Sequence, residues 1–223
     1  MTGSRFGSSV KQMPAIATRL ELREAILDAT ERLLAHYGYR KMTVEDIARE
    51  VGVGKGTIYL HFTSKEEVVL SHVDRIVDRL KERLQAIALS NATAAMRLRL
   101  MLLTRVLFRF DSIQHYTQSL NDLLSALRPG LLARRARYFD EEAQILATVL
   151  NQGRDAGEFD FRDALSTAYA LLHATNALLP YSLSTMELGE REEVKAKTDA
   201  VAELVLNGLL RSKPNAAIDP NLT

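Results

Sequence analysis

The sequence lacks cysteine and is poor in the residues that interrupt helices, with 5 proline and 11 glycine residues among 223. Without cysteine, a disulfide scaffold, a thiol nucleophile and a cysteine-ligated zinc or iron–sulfur site are excluded. The same absence favours a reducing compartment, so we expect a cytoplasmic protein. Because proline and glycine break helices, their scarcity favours long uninterrupted helices.

Long apolar runs and an excess of charge of one sign are also missing. No stretch reaches the ~18 uninterrupted apolar residues that a membrane span needs, and the N-terminus lacks the apolar core of a signal peptide. We therefore predict no membrane partner. The 29 basic and 28 acidic residues give a net charge of +1, so any binding of nucleic acid must depend on local charge.

Apolar residues recur at the helical period along most of the chain. Between Leu22 and Tyr37 they lie three or four residues apart, as on one face of a helix, and Gly38 is expected to end that helix. No run shows the alternation that is typical of a strand. Capping residues, glycine and proline predict helices over residues 18–37, 43–52, 55–61, 64–88, 93–110, 117–127, 131–152, 163–181 and 189–211.

The fold class that follows is all-α, with about nine helices. A small N-terminal unit of three helices precedes a larger C-terminal helical bundle, and the boundary falls inside the fourth helix. Residues 1–17 and 212–223 show no helical period. We expect these ends to form a disordered arm and a disordered tail.

The segment Thr43–Phe62, TVEDIAREVGVGKGTIYLHF, has the pattern of a helix-turn-helix. Ala48 is the small residue at which the two helices would cross. Gly52 lies where the turn needs a left-handed backbone, which glycine adopts without steric cost. The apolar positions that would pack the helices together are Ile47, Val51, Val53 and Ile58.

The second helix of such a motif should present short polar and basic side chains to a major groove of DNA. Lys55, Thr57, Tyr59 and His61 are the polar residues of this helix. Lys65, at the start of the next helix, is well placed for a phosphate. The segment therefore predicts an interface with double-stranded DNA.

The glycine cluster GVGKGT has two other interpretations. A nucleotide-binding loop would need Ser or Thr after Lys55 and a preceding strand, whereas the chain has Gly56 there and no strand signal. An ordinary helical hairpin with a glycine turn is the second alternative. The helix-turn-helix is favoured because the apolar positions, Ala48 and Gly52 all agree with one geometry.

The stretch Thr18–Val69 resembles the DNA-binding domain of the TetR family of bacterial transcription regulators. The resemblance rests on a helix, G-x-x-x-x-T, the helix-turn-helix, TIYLHF and SKEE, in that order and at the family's spacing. The C-terminal half is similar only in architecture and in the turn GRDAGEF at Gly153–Phe159. The family often has Ser, Thr or Ala where this chain has Gly54. Glycine is an acceptable N-cap, so the helix is retained without a hydroxyl contact.

The resemblance implies DNA contacts from the start of the second helix, from the recognition helix and from the start of the fourth helix. Thr43 would bind a phosphate through its hydroxyl and backbone N–H, and Gly56 would let the DNA backbone approach closely. Tyr59 and His61 would touch phosphates or base edges. The full set of implied DNA-binding residues is Thr43, Lys55, Gly56, Thr57, Tyr59, His61 and Lys65.

Local charge is consistent with this division of the chain. Residues 1–65 hold ten basic and seven acidic residues, a formal charge of +3, whereas the remainder carries −2. Phosphate contacts supply most of the affinity of a protein for DNA. We expect a helix-turn-helix DNA-binding domain over residues 18–65 and a ligand-binding and dimerisation domain over residues 66–211.

By the same resemblance, the C-terminal bundle would bind a small effector and would dimerise through its last two long helices. Residues 163–181 are apolar nearly all round, which fits a helix that is buried on more than one side. A monomeric bundle core is the alternative to a homodimer. Residues 189–211 end with an apolar stripe of Val194, Val201, Leu204, Val205 and Leu209.

A ligand cavity should be mostly apolar with a few convergent polar groups. Polar residues on the apolar helices include Arg97, Arg105 and Arg109, an inward Gln144, and three residues at one-turn spacing near residue 173. The predicted effector-binding residues are Arg105, Tyr169, His173 and Asn176.

These polar residues also have structural interpretations. A histidine on an apolar helix is often a satisfied core group. The arginines could be solvated or paired with acids such as Asp111 or Asp122. Runs of carboxylates such as Glu141–Glu142 are usually solvated faces.

Metal-binding and catalytic patterns are not recognisable. The histidines, at positions 36, 61, 72, 115 and 173, include no i, i+4 pair, and no serine lies in a Gly-x-Ser-x-Gly elbow. We expect no enzyme and no cofactor. The predicted function is a ligand-responsive, homodimeric regulator, a repressor released from operator DNA by a small lipophilic effector. The alternative is a helical small-molecule or lipid carrier without a regulatory role.

Overall fold

The computed structural model describes residues 19–114, 120–179 and 189–210. The predicted arm and tail, the cap at Thr18 and the predicted helix limits at residues 117, 181 and 211 lie outside these ranges. Within them the chain is all-α, as predicted, and the only extended pairing is an isolated bridge between Phe159 and Leu210. Among the helices so described, none combines the length and hydropathy that crossing a membrane requires.

The described part of the chain has eight helices, against about nine expected from the helical period. Local signals set most of their limits. Ser64, Thr93 and Asp163 accept a backbone hydrogen bond in the first turn of the helix that each precedes. Gly38 leaves the helical conformation (φ 71°) one turn before the first helix ends. The helices are α1 (Arg19–Lys41), α2 (Val44–Val51), α3 (Lys55–Tyr59), α4 (Lys65–Ala88), α5 (Ala94–Ile113), α6 (Leu120–Asp155), α7 (Ala164–Asn176) and α8 (Arg191–Asn207).

The prediction of two helices separated at Pro129 is wrong, because α6 continues through this residue. Proline inside a helix removes a hydrogen bond and costs about 3 kcal/mol, so packing must offset it. Leu123 and Leu127 are buried against the N-terminal helices, and Leu146 and Leu150 are buried in the bundle. Burying a leucine contributes roughly 1.5–3 kcal/mol, so these four side chains outweigh the cost of Pro129.

Two hydrophobic cores share α4 and α6. The N-terminal core is formed by α1, α2, α3 and the first turns of α4, and Leu123 and Leu127 of α6 complete it. The C-terminal core combines the rest of α4 with α5, α6, α7 and α8. Because two helices pass from one core to the other, the two units are not connected by a flexible linker.

Arg75 of α4 forms ion pairs with α1. Its guanidinium is buried and donates to three carboxylates of α1, at 2.6 Å to Asp28, 3.1 Å to Glu31 and 3.3 Å to Glu24. Hydrogen bonds between ionised partners are stronger than neutral ones. This cluster therefore fixes the position of α1 on α4.

His72, one turn before Arg75, should make the fold sensitive to acid. Burial, reinforced by the charges of Arg75 and Arg79, lowers the pKa of His72 from 6.5 to about 3. The folded protein keeps this ring neutral where the unfolded chain protonates it, so stability is lost as the pH falls below 6.5. We expect this loss to approach about 1.4 kcal/mol per pH unit in the parent and to be clearly smaller in a His72→Gln variant.

Urea unfolding of both proteins between pH 6.5 and about pH 5 measures the difference, because most carboxylates titrate below that window. Parallel dependences of the unfolding free energy on pH would contradict the role of His72.

Candidate nucleic-acid interface and bundle cavity

A capping box at Thr43 and Asp46 begins α2. The Thr43 hydroxyl oxygen accepts from the Asp46 N–H at 3.1 Å, and the Asp46 carboxylate accepts from the Thr43 N–H at 3.0 Å. The Thr43 hydroxyl also donates to this carboxylate at 2.7 Å, and these bonds lower the pKa of Asp46. Thr43 is exposed. A phosphate that bound its hydroxyl and N–H would have to displace the Asp46 carboxylate.

The turn after α2 positions α3 against α2. In the helix-turn-helix motif, α3 is the recognition helix. Gly52 has the predicted left-handed backbone, with φ 78° and ψ 31°, and the Val53 N–H donates to the Ala48 carbonyl at 2.9 Å. The recognition helix ends at Tyr59 rather than at the predicted His61. The apolar side chains expected between the helices are buried or half-buried: Ile47, Ala48, Val51, Val53 and Ile58.

The outer surface of α3 is open to solvent. Lys55, Gly56 and Tyr59 are exposed, Tyr59 by 46%, whereas Thr57 and His61 are half-buried. A Cβ atom added at Gly56 would have no neighbour within 4 Å. Packing inside the chain therefore does not require glycine at this position.

Lys55 is held by an acidic residue of α2. Its ammonium donates to the Glu45 carboxylate and lies 5.8 Å from the centre of the Tyr59 ring. The hydrogen bond with Glu45 raises the pKa of Lys55, and the same bond lowers the pKa of Glu45. Both side chains are exposed, so solvent and salt weaken the pair. The Lys55 ammonium is therefore accessible from solvent.

Lys65 is directed towards the end of α1. Its ammonium donates to the carbonyl oxygens of Tyr39 at 2.9 Å and Met42 at 3.1 Å, and lies 4.3 Å from the centre of the Tyr39 ring. Burial lowers the pKa of Lys65. An ammonium has three N–H donors, and these two hydrogen bonds use two of them.

Arg19 and Arg23 of α1 border the same surface and were not identified from the sequence. Arg19 donates to the Leu60 carbonyl at 3.4 Å, directly after α3, and the Arg23 guanidinium lies 5.3 Å from the centre of the Phe62 ring. Burial and the charges of these arginines lower the pKa of His61. Their spacing of four residues, which puts them on one face of a helix, is the signal that could have identified them.

A cavity of 170 Å³ lies among α4, α5, α6 and the end of α7. Of the four residues predicted to bind an effector, Arg105 and Asn176 line this cavity. Tyr169 and His173 do not line it, but their rings lie 6.3 Å and 4.9 Å from the ring of Phe139, which does. His173 is exposed, so it is not the core histidine considered as an alternative.

The polar wall of this cavity is a buried ion cluster. Glu142, expected on a solvated face, is 0% exposed and accepts from Arg105 at 2.7 Å and from Arg109 at 3.3 Å. Burial alone would raise the pKa of Glu142, but the charges of Arg109 and Arg105 outweigh it and lower that pKa. Arg105 also donates to the Thr175 hydroxyl at 3.1 Å. The cluster thus joins α5, α6 and α7.

Other polar residues considered for the cavity lie elsewhere. Gln144 is exposed and does not point inward, because the buried face of α6 is the one that carries Glu142. The acids expected to pair with the arginines of α5 have different partners: Asp111 pairs with Arg191 at 2.8 Å, and Asp122 pairs with Arg40 at 2.8 Å.

Comparisons with known proteins agree on one family. The model of the family described as "Bacterial regulatory proteins, tetR family" matches residues 26–71, which include α2 and α3. The fatty acid metabolism regulator protein of Bacillus subtilis is 26% identical over 188 residues, which are 82% of this chain and 93% of the relative. The HTH-type transcriptional repressor KstR2 of Mycobacterium tuberculosis is 30% identical over 144 residues, 61% of this chain and 68% of the relative.

Solved structures have the same fold. The crystal structure of a transcriptional regulator from Cytophaga hutchinsonii matches with a TM-score of 0.71 and 24% identity, over 84% of this chain and 98% of its own. At this identity the likeness concerns the fold alone.

Proposed function

The chain belongs to the TetR family of bacterial regulatory proteins and is a DNA-binding transcriptional regulator, and from this premise we propose that it is a homodimeric repressor that a small lipophilic effector releases from its operator. Residues 18–65 would form the DNA-binding domain, and residues 66–211 the ligand-binding and dimerisation domain. One observation carries the proposal: α4 and α6 line the bundle cavity and also pack in the core that supports the recognition helix.

The proposed DNA surface combines α3 with the helix starts on either side of it. Lys55 and Tyr59 are exposed, and Gly56 lies between them with open space in front. Half or more of the hydrogen bonds in such complexes go to phosphates and sugars. We assign DNA contacts to Thr43, Lys55, Gly56, Thr57, Tyr59, His61 and Lys65.

The proposed dimer interface uses the apolar face of α8 together with α7. Leu204 is 76% exposed, and Val201, Val205 and Leu209 are half-buried along the same stripe. Val194, which the sequence pattern groups with them, is buried inside the subunit. Exposed leucines of this kind mark contact surfaces when they form a contiguous patch.

The proposed effector site is the bundle cavity. Arg105 and Asn176 would contact the effector directly, because both line the wall. Tyr169 and His173 would act on the effector through Phe139, against which their rings lie.

Release from DNA would follow from a change in the spacing of the two recognition helices. In a dimer these helices must fit successive major grooves, ~34–36 Å apart. An effector between α4 and α6 would move α4 relative to the bundle. Since α4 carries the charge cluster that holds α1, its movement would reach the DNA-binding unit.

A footprint on the DNA upstream of the chain's own gene tests the proposal. We expect a protected segment with two half-sites about 10 base pairs apart, or a multiple of that spacing, together with sedimentation as a dimer at micromolar concentration. A carrier without a regulatory role would bind lipophilic compounds but would protect no DNA. A stable monomer would contradict the dimer.

Gly56→Ala should separate stability from DNA binding. Alanine is favoured over glycine inside a helix by roughly 0.5–1 kcal/mol, and the added Cβ has no neighbour within 4 Å. We therefore expect an equal or higher melting temperature but weaker operator binding, because the methyl group occupies the space that the DNA backbone would take. Operator titration and a melting curve on the same sample measure both effects. Unchanged affinity would remove Gly56 from the interface.

A further inference from the structure

The bundle cavity carries more positive than negative charge. Its lining has four arginines and one glutamate, a formal charge of +3: Arg105, Arg109, Arg128, Arg135 and Glu142. Arg105 and Arg109 share the buried carboxylate of Glu142. Arg128 and Arg135 are exposed and lie two turns apart on one face of α6. In the described ranges, neither of these two makes an ion pair or a side-chain hydrogen bond.

Apart from Tyr138 and Asn176, the other lining residues are apolar, and the cavity leads towards the DNA-binding unit. A second cavity, of 60 Å³, adjoins it and shares Val73, Arg109, Leu124 and Leu131 with it. The second cavity reaches Leu34 of α1, which belongs to the N-terminal core. The two cavities together have a charged opening at one end and an apolar end against α1.

From this arrangement we propose that the effector is an anionic amphiphile with a single unbranched tail. Its carboxylate or phosphate head would bind Arg128 and Arg135, and its tail would enter the apolar cavities. The inference rests on the proposed function, because it gives the chemical class of the same effector. Guanidinium groups recognise carboxylates and phosphates by paired, charge-assisted hydrogen bonds. A tail that reaches Leu34 would press directly on α1.

Calorimetric titration with four twelve-carbon probes, each below its micellar concentration, tests the head group. The probes are dodecanoate, dodecyl phosphate, dodecan-1-ol and dodecyltrimethylammonium. We expect at least one anion to bind about tenfold or more tightly than the alcohol, and the cation to bind most weakly. The comparison of dodecanoate with dodecyl phosphate shows which anionic head the site prefers.

An Arg128→Gln, Arg135→Gln double variant should lose the preference for anions and still bind the alcohol as the parent does. Both side chains are exposed, so the melting temperature should stay at the parent value. The matched control is Arg154→Gln, which changes another exposed arginine of α6 that does not line the cavity. This control should keep the preference for anions.

Tail length tests the route towards α1. From decanoate to tetradecanoate, affinity should rise roughly threefold to fourfold per methylene group until the apolar cavities are filled. Val73→Phe narrows the junction that both cavities share. In that variant the rise in affinity should end at a shorter tail than in the parent, while the preference for anions persists.

Three results would overturn the inference. The first is equal affinity of the parent for the anions and the alcohol. That result would still agree with a lipophilic effector and would leave the proposed function unchanged. A preference for anions that survives in the double variant would remove Arg128 and Arg135 from the head site. If none of the four probes binds, the anionic class is wrong, and the operator footprint decides separately whether the regulatory proposal holds.

Discussion

Replacing Glu142 by leucine is expected to lower the free energy of unfolding by about 3–5 kcal/mol. Glu142 is fully buried and receives hydrogen bonds from Arg105 and Arg109, which are 1% and 5% exposed. Without the carboxylate, both guanidinium charges would stay in the interior without the anion that they share. Urea unfolding at neutral pH measures the loss, and a cost below about 1 kcal/mol would show that the cluster does not hold the bundle together.

Two further variants separate charge from packing at this site. Glu141→Leu changes the neighbouring acid, which is half-buried and pairs with Lys81. It should cost no more than about 1 kcal/mol, because such pairs contribute little. Adding Arg105→Met and Arg109→Met to Glu142→Leu should recover most of the lost stability, since buried ion clusters can often be replaced by apolar side chains of similar volume.

A Lys55→Ala, Tyr59→Ala double variant should bind the operator about 100-fold more weakly, because removing a side chain that touches DNA costs roughly 1–3 kcal/mol. Both side chains are exposed, and Lys55 forms an ion pair with the exposed Glu45. The unfolding free energy should therefore change little. Removing the lysine should also reduce the dependence of log affinity on log salt by about one unit.

Titration of operator DNA at several salt concentrations measures both effects. Lys195→Ala, which changes an exposed lysine of α8, should bind as the parent does. Glu45→Gln, which frees Lys55 from its partner, should bind as tightly as the parent or more tightly. Parent-like affinity in the folded double variant would show that α3 does not read DNA with this surface.

The helix-turn-helix could be predicted from the sequence because its determinants are local. Thr43 caps α2 through a residue three positions away, and Gly52 supplies a backbone conformation that depends on its own lack of a side chain. The burial of Ile47 and Ile58 follows from a short apolar period. All of these signals lie within residues 43–58 of the sequence.

The bundle could be predicted only in outline, because its details depend on contacts between distant segments. Pro129 signals a helix end locally, and only the packing of α6 in two cores overrides that signal. Glu142 is the same residue type as its half-buried neighbour Glu141, and its burial depends on arginines more than 30 residues away. His173 lies one turn from Asn176, yet the packing of α7 leaves His173 exposed and puts Asn176 at the cavity.

The passage of α6 through both cores limits how this regulator can be recombined with others. A chimera that joined residues 19–65 to a foreign sensor would lose the α4 side chains of that core, such as Val69, together with Leu123 and Leu127 of α6. The fit is close, since a Cβ atom at Gly130 would lie 2.5 Å from the Leu70 side chain. The DNA-binding unit that could be transferred is therefore discontinuous in sequence. A functional chimera has to include the part of α6 that carries Leu123 and Leu127.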